Sequence, residues 1–180
     1  MGDSYQTITD VEVTEREAAA LAVSAVAWLA ATGVVAAAPT ACVLGGRGAG
    51  HAPGPRYTDA VAADGHALLD TRPNGLQVVT GRTVFSALGA DQVACPRCHT
   101  AAAWDGVEDA IAEWYAGGDG RRACPACGSA LALNDWDWEP RWAFGCLGLT
   151  FWNWPPLRPD FVAGVAGRLG HRAVLVAARL

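Results

Sequence analysis

Two short cysteine motifs constrain this chain more than any other feature of its sequence. They are C-P-R-C at residues 95–98 and C-P-A-C at residues 124–127. Two residues between thiolates allow one tight turn to aim both sulfurs at a single ion, and two such turns complete a tetrahedral shell, for which zinc is the usual metal. The sequence therefore predicts one structural zinc ion per chain, held by Cys95, Cys98, Cys124 and Cys127.

These motifs and their surroundings, about residues 93–133, resemble a zinc ribbon of the rubredoxin-knuckle type. Gly128 follows the second motif, where glycine suits the backbone that ends such a turn, and His99 takes the equivalent place after the first. The resemblance implies a structural zinc and little about activity, because such ribbons serve many proteins. Between the motifs, the helical spacing of Val107, Ile111 and Trp114 predicts that a helix decorates the ribbon.

Alternatives for the four cysteines are an iron ion in the same shell, two disulfides, or free thiols in the core. A secreted disulfide scaffold is usually shorter than this chain, and knuckle spacing favours a metal. Cys42 and Cys146 are each a single cysteine in apolar surroundings, which is typical of buried thiols. As a nucleophile Cys146 would need a nearby base, and the sequence does not place His51, His66 or His171 beside it.

The rest of the chain predicts an α+β fold. Residues 5–13 alternate in polarity as a strand does, and Thr14 and Glu17 have capping-box spacing at the start of a helix that ends near Gly33. Further predicted elements are strands at 34–44 and 75–85, a helix at 159–170 and a strand at 171–180.

This order matches a ferredoxin-like βαββαβ sandwich with an inserted zinc ribbon. We expect residues 1–92 and 150–180 to form the α+β core, and residues 93–149 to hold the inserted ribbon together with a Trp-rich segment.

The Trp-rich segment, residues 136–154, contains five of the eight tryptophans: Trp136, Trp138, Trp142, Trp152 and Trp154. In an extended chain, Trp136 and Trp138 would share one face and Asp135, Asp137 and Glu139 the other. One interpretation is an exposed aromatic surface that binds a protein partner, since Trp supplies much binding energy at interfaces. The other is that these rings attach the small ribbon to the core.

A glycine-rich segment at 45–57 suggests a phosphate loop but lacks the Gly-Lys-Ser/Thr ending. It is better explained as a flexible loop, or as a partner-binding loop that uses Arg47, His51, Arg56 and Tyr57. No catalytic motif is recognisable. An enzyme would be a small hydrolase or transferase with a cleft between core and ribbon, in which His51 or Cys146 would act with Asp135 or Asp137.

Composition narrows the function classes. A net charge of −5 argues against a protein whose main task is binding the phosphate backbone of a nucleic acid. Arg97, Arg121 and Arg122 do surround the knuckles, so a nucleic-acid-binding ribbon remains an alternative. The uncharged stretch at 18–46 is mostly alanine, with Gly33 and Pro39 interrupting it, which disfavours a membrane span. Acidic residues precede it, which disfavours a signal peptide and makes the cytoplasm the expected location.

Together these observations favour a non-enzymatic zinc-ribbon protein that acts as a protein–protein interaction, accessory or inhibitor-type module. Its acidic charge suits a basic protein partner. Nucleic acid and membranes are not the expected partners.

Overall fold

The computed structural model describes residues 2–43, 50–62, 72–87, 89 and 92–180, with the backbone alone at 104 and 105. Residues 45–49 of the predicted glycine-rich loop, which include Arg47, lie outside this range. The helices are α1 (Glu15–Ala31), α2 (Trp104–Tyr115) and α3 (Pro159–Leu169). The strands are β1 (Ser4–Asp10), β2 (Val35–Thr40), β3 (Gly50–Pro53), β4 (Gly75–Ser86), β5 (Gln92–Ala94), β6 (Arg121–Ala123), β7 (Ala130–Ala132), β8 (Asp137–Glu139), β9 (Trp142–Trp152) and β10 (Ala173–Arg179).

Six of the strands form one antiparallel sheet in the order β10-β1-β9-β4-β3-β2. Helices α1 and α3 pack on one face of it, over Leu147, Leu149 and Phe151, which are fully buried. The chain is therefore a mixed α and β protein, as the sequence predicts. The strand predicted at 34–44 corresponds to β2, but it does not take the central position that the predicted sandwich gives it. Strand β2 lies at the sheet edge beside β3, and β4 pairs with β9 instead.

The central strand, β9, was not predicted as a strand at all. All but its two terminal residues are buried, so it lacks the alternation of a half-exposed strand. Gly148 is required here, because a Cβ at this position would lie 2.3 Å from the Phe85 ring. The domain boundary expected between residues 149 and 150 falls inside β9, and residues 142–149 lie in the sheet rather than in an insertion.

Between β4 and β9 the chain forms a smaller unit, residues 92–141, which we call the cysteine module. Strand β5 pairs with β8, β6 pairs with β7, and α2 lies between the two pairs in sequence. The module has its own apolar cluster, built around Val107, Leu131, Trp136 and Trp138. We call the six-stranded sheet with α1 and α3 the sheet core.

Helix α1 begins where the capping-box spacing predicts and ends near Gly33, which has a φ of 77°. The cap differs in detail from the expected one. The Thr14 hydroxyl donates to the Glu17 carboxylate at 2.5 Å, and no side chain caps the backbone amides. Helix α3 ends as predicted at Gly170, whose φ of 77° lies in the left-handed region that glycine adopts without strain.

A buried carboxylate joins three elements at one end of the sheet. Asp10, which is fully buried, accepts hydrogen bonds from the amides of Glu12 and Val13 at 3.0 and 2.8 Å, and so shapes the turn that leads into α1. Its other oxygen lies 2.8 Å from Nδ1 of His171, just before β10. This hydrogen bond to the Asp10 carboxylate raises the pKa of His171.

Among the described residues, no helix has both the length and the apolar character needed to traverse a bilayer.

Candidate metal centre

The four predicted ligands come together at one point. Their sulfur atoms all lie within 4.8 Å of one another, and no other described group of three or more potential metal-binding side chains is as close. The Sγ atoms of Cys95 and Cys127 are 3.8 Å apart, and those of Cys98 and Cys124 are 3.6 Å apart. Four sulfurs each about 2.3 Å from one ion in a tetrahedron would be about 3.8 Å apart. The cluster has the dimensions of a Cys₄ metal shell.

Each cysteine pair lies at the tip of a small hairpin. The first pair is flanked by Ala94 and Ala101, which form an antiparallel bridge, and the second joins β6 to β7. This arrangement explains why the chain needs two short motifs and a long spacer. Each hairpin aligns its own two sulfurs, and the spacer, which includes α2, brings the hairpins face to face.

The two turns have the same backbone hydrogen bonds. The Cys95 carbonyl accepts from the His99 amide at 2.8 Å, and the Cys124 carbonyl accepts from the Gly128 amide at 2.8 Å. His99 has a φ of 58° and Gly128 a φ of 73°, so both occupy the left-handed conformation. His99 therefore takes the backbone role of a glycine, and its ring is not part of the sulfur cluster.

Two hydroxyl groups that the sequence analysis missed lie beside the sulfurs. Thr100 Oγ1 is 3.4 Å from Cys98 Sγ, and Ser129 Oγ is 3.3 Å from Cys127 Sγ. Each hydroxyl residue comes two positions after the second cysteine of its motif. That repeated position is the signal that could have identified them.

The electrostatics differ among the sulfurs. The hydrogen bond between Cys127 and the Ser129 hydroxyl lowers the pKa of Cys127 to about 6, and the hydrogen bond with the Thr100 hydroxyl lowers the pKa of Cys98. Burial raises the pKa of the Cys95 thiol to about 11. Metal binding requires thiolates, so an ion entering this site displaces protons, above all from Cys95.

The chemistry open to this arrangement is limited. Four protein ligands fill a tetrahedral shell and leave no position for water or substrate, which is the pattern of structural metal sites. Cys95 and Cys124 are also buried in the apolar cluster of the module, next to Val93 and Val107. An ion held here would therefore stabilise the module's fold.

The five tryptophans predicted to bind a partner do not form one surface. Trp136, Trp138 and Trp154 are at most 4% exposed, so they cannot present an aromatic platform. Trp136 and Trp138 lie in the core of the module, whereas Trp154 packs on Phe151 in the sheet core. The acidic side chains of Asp137 and Glu139 do face solvent, as the alternating pattern predicts.

Trp142 and Trp152 are half-buried and lie at opposite ends of β9. Trp142 stacks on Trp138, with ring centroids 5.1 Å apart and planes 5° from parallel. Trp152 packs against Tyr5 on the sheet face opposite the helices, and its Nε1 donates to Gln77 Oε1 at 2.7 Å. Only these two members of the predicted set keep accessible ring surface.

A cleft does lie between the start of α1 and the cysteine module, with a volume of about 330 Å³, and Cys146 is among its lining residues. His51, Asp135 and Asp137, the predicted catalytic partners, are not among the residues that line it, although Arg172, the ion-pair partner of Asp135, is. His51 lines a separate cavity beside α1 and its Nδ1 lies 2.8 Å from the Ala36 carbonyl, while Asp135 is paired with Arg172 at 3.0 Å. Burial raises the pKa of the Cys146 thiol, which makes it a poor nucleophile.

Two of the three arginines near the knuckles bond to backbone carbonyls of the module. Arg121 donates to the Ala130 carbonyl at 3.1 Å, and Arg122 donates to the Ala103 carbonyl at 3.3 Å. Arg97 is exposed. Because a carbonyl is neutral, these bonds orient the two guanidinium groups without cancelling their charge.

No protein-family model matches this chain, and the searches of curated proteins and of solved structures found no match either.

Proposed function

We propose that this chain is a zinc-ribbon protein in which one structural zinc ion holds the cysteine module, and that the protein acts without catalysis as a protein–protein interaction, accessory or inhibitor-type module. The observation that carries the proposal is the cluster of four sulfurs, spaced as a tetrahedral shell requires. Four thiolates would fill such a shell. The ion would cross-link two hairpins that share only a small apolar core.

Zinc fits this donor set better than the alternatives. Sulfurs 3.6 to 3.8 Å apart are too distant for disulfides, whose S–S length is about 2.05 Å. Iron prefers the same four thiolates, but structural Cys₄ sites on paired hairpins are most often zinc sites. None of the six cysteines forms a disulfide, which supports a reducing compartment such as the cytoplasm as the location.

We further propose that the sheet core is ferredoxin-like. The support is the order β10-β1-β9-β4 with antiparallel neighbours, in which α1 follows β1 and α3 joins β9 to β10. This is the strand order of a βαββαβ sandwich whose second and third strands are β4 and β9. The hairpin of β2 and β3 then extends one edge, and the cysteine module is inserted between β4 and β9.

For the partner surface we propose the sheet face that carries Trp152, because the other predicted tryptophans are buried or lie at the module. Tyr5, Gln77 and Trp152 line a depression of about 230 Å³ there. Tyrosine and tryptophan are enriched where interfaces gain most of their binding energy. The net charge of −5 favours a basic protein partner through faster association.

The first experiment is metal analysis and native mass spectrometry of untagged protein purified from its own cells. We expect one zinc per chain and a stoichiometric partner. Iron in place of zinc, or an absence of metal from protein purified without chelators, would refute the zinc assignment. A metal-loaded chain that never copurifies with a partner would refute the interaction role while leaving the metal site intact.

The second experiment uses Trp152→Ala, with Tyr115→Ala as a matched control. Tyr115 is also an accessible aromatic residue, 52% exposed, but it lies on α2 in the cysteine module. If the sheet face binds the partner, Trp152→Ala weakens the complex at least ten-fold, whereas Tyr115→Ala does not, and both variants keep one zinc. Equal effects of the two substitutions would argue against this surface.

A further inference from the structure

The two edges of the six-stranded sheet differ in how they are protected. Strand β2 carries Pro39, and its pairing with β3 is irregular between Val35 and Pro39. Proline and irregular pairing are common means of preventing an edge strand from adding another strand. Strand β10 has neither: it runs for seven residues, A-V-L-V-A-A-R, pairs with β1 in continuous register, and carries no charge before Arg179.

The unpaired backbone groups of β10 can be assigned to particular residues. The Arg172 carbonyl accepts from the Val11 amide at 3.2 Å, and the Leu180 amide donates to the Asp3 carbonyl at 2.7 Å. Because hydrogen-bonded positions alternate along an antiparallel ladder, the even-numbered residues of β10 bond to β1. The amides and carbonyls of Ala173, Leu175, Ala177 and Arg179 therefore point away from the sheet. No strand pairs with them among the described residues.

The helix beside this edge presents small side chains. Arg168 of α3 donates to the Ser24 hydroxyl of α1 at 3.1 Å, which fixes the side of α3 that faces α1. Ala163 and Ala166 lie roughly half a turn around the helix from Arg168, on the side away from α1. Because α1 contacts β4 and β9 while α3 contacts β1, that side points toward β10 in the strand order. Ala163 is exposed and Ala166 is half-buried. A second helix could approach this side closely.

We propose that the protein forms a two-fold homodimer in which β10 pairs antiparallel with β10 of a second copy. The register that uses every outward group is centred on Val176, so that Leu175 lies opposite Ala177 of the second copy and Ala173 opposite Arg179. This pairing adds about eight backbone hydrogen bonds and makes one continuous sheet of twelve strands. The two α3 helices then pack side by side across the two-fold axis, Ala163 against its counterpart.

A second copy fits this edge for reasons of symmetry, charge and area. An antiparallel pair about a two-fold axis needs a strand that is complementary to itself, and β10 places no like charges opposite each other in this register. A seven-residue strand is about 23 Å long and the strand and helix layers are about 20 Å deep, or roughly 460 Å² in projection. The accessible surface that each copy would bury is larger than this projected area, because side chains make the contact surface uneven. It approaches the ~800 Å² that each partner of a standard interface buries.

The test is the mass of the full, metal-loaded chain in sedimentation velocity and multi-angle light scattering at concentrations from about 1 to 200 μM. We expect a species of twice 18.7 kDa that dissociates on dilution. A chain that stays at 18.7 kDa over the whole range would overturn the proposal.

Two substitutions locate the interface. Ala177→Pro removes an outward amide donor without removing a bond to β1. Ala163→Glu places a charge between the α3 helices at an exposed site. Its matched control is Gly164→Glu, which adds the same charge at the next residue of α3. A Cβ at position 164 meets no atom within 4 Å.

We expect Ala177→Pro and Ala163→Glu each to raise the dissociation constant at least ten-fold, and Gly164→Glu to change it less than three-fold. Circular dichroism and zinc content show whether each variant is folded. If Ala177→Pro does not fold, Ala163→Glu decides the test, because its site is solvent-exposed on a helix. A dimer that tolerates Ala163→Glu and every folded β10 variant would overturn the proposed interface.

Discussion

Strand β9 passes through two hydrophobic cores that are stabilised in different ways. Near its end, Phe151 packs between the sheet and the helices together with Leu147 and Leu149, in a core that contains none of the four clustered cysteines. Near its start, Phe144 packs with Trp138 in the cysteine module, where the apolar cluster has ten buried residues in the described part of the chain, two of them cysteines of the sulfur cluster. The sheet core is large enough to fold by burying apolar surface, whereas for the small module we propose a metal cross-link.

This contrast predicts that the largest effect comes from removing a ligand. Cys124→Ser leaves three sulfurs and a buried hydroxyl, so we expect zinc to fall from one per chain to a small fraction and the module to unfold. Hydrogen exchange should show lost protection at β6 and β7 while β1 and β9 stay protected.

Cys42→Ser is the matched control for that substitution, because Cys42 is a free thiol outside the cluster. It should retain one zinc per chain. Loss of protection throughout the sheet in Cys124→Ser would show that the two cores are not separate folding units.

A pair of substitutions within β9 sharpens the comparison. Phe151→Ala and Phe144→Ala each empty a site that is at most 1% exposed, and each should cost about 3–5 kcal/mol. We expect Phe151→Ala to lower the free energy of unfolding of the sheet core with zinc affinity unchanged, and Phe144→Ala to weaken zinc retention. Denaturant titration and competition with a chelator measure the two quantities. Similar zinc loss in both variants would contradict independent cores.

A smaller effect is expected from the hydroxyl groups beside the sulfurs. Thr100→Ala and Ser129→Ala each remove a hydroxyl that lies within hydrogen-bond distance of a ligand sulfur, and partners of metal ligands typically contribute ten-fold or more to affinity. We expect zinc affinity to fall about ten-fold in each variant, with no change in the stability of the sheet core. Ser24→Ala, on α1, is the control and should bind zinc normally.

The smallest effect concerns the sheet core alone. Because the bond to Asp10 raises the pKa of His171, the folded state gains stability from the protonated ring below pH about 6.5 and loses it as the pH rises through the raised pKa. His171 is about one-third exposed, so we expect less than about 1 kcal/mol.

The measurement is the free energy of unfolding against pH for the wild type and His171→Asn at fixed zinc. The wild type should lose stability relative to the variant as the pH rises from 6 to 8. A gain over that range would contradict the assigned role of the pair.

Much of the local structure could be predicted from the residues. Helix α1 follows from the spacing of Thr14 and Glu17 and from Gly33, and α3 ends at Gly170 as expected. The C-P-x-C motifs identified the four clustered sulfurs, because each motif fixes a turn within four residues. These successes share one cause: the interactions involved lie within a few positions along the chain.

Strand β9 shows where prediction from sequence failed. A strand buried on both faces has no alternation of polarity, and the five tryptophans within and beside β9 suggested a binding surface instead. Whether a tryptophan is buried depends on what packs against it: Trp154 is covered by Phe151 and Tyr57, while Trp152 at the same end of β9 faces an uncovered side of the sheet. Sequence alone cannot decide this.

The sequence by itself determined the two cysteine turns, the helices α1, α2 and α3 and the α+β class, since these depend on short-range spacing and capping. Only the tertiary structure decided that β9 is central, that the tryptophans are divided among three places, and that β10 is an open edge. These properties depend on which strands become neighbours, and strands that pair here are as much as 175 residues apart, as with Ser4 and Arg179. The contacts that select such pairs form between surfaces, not along the chain.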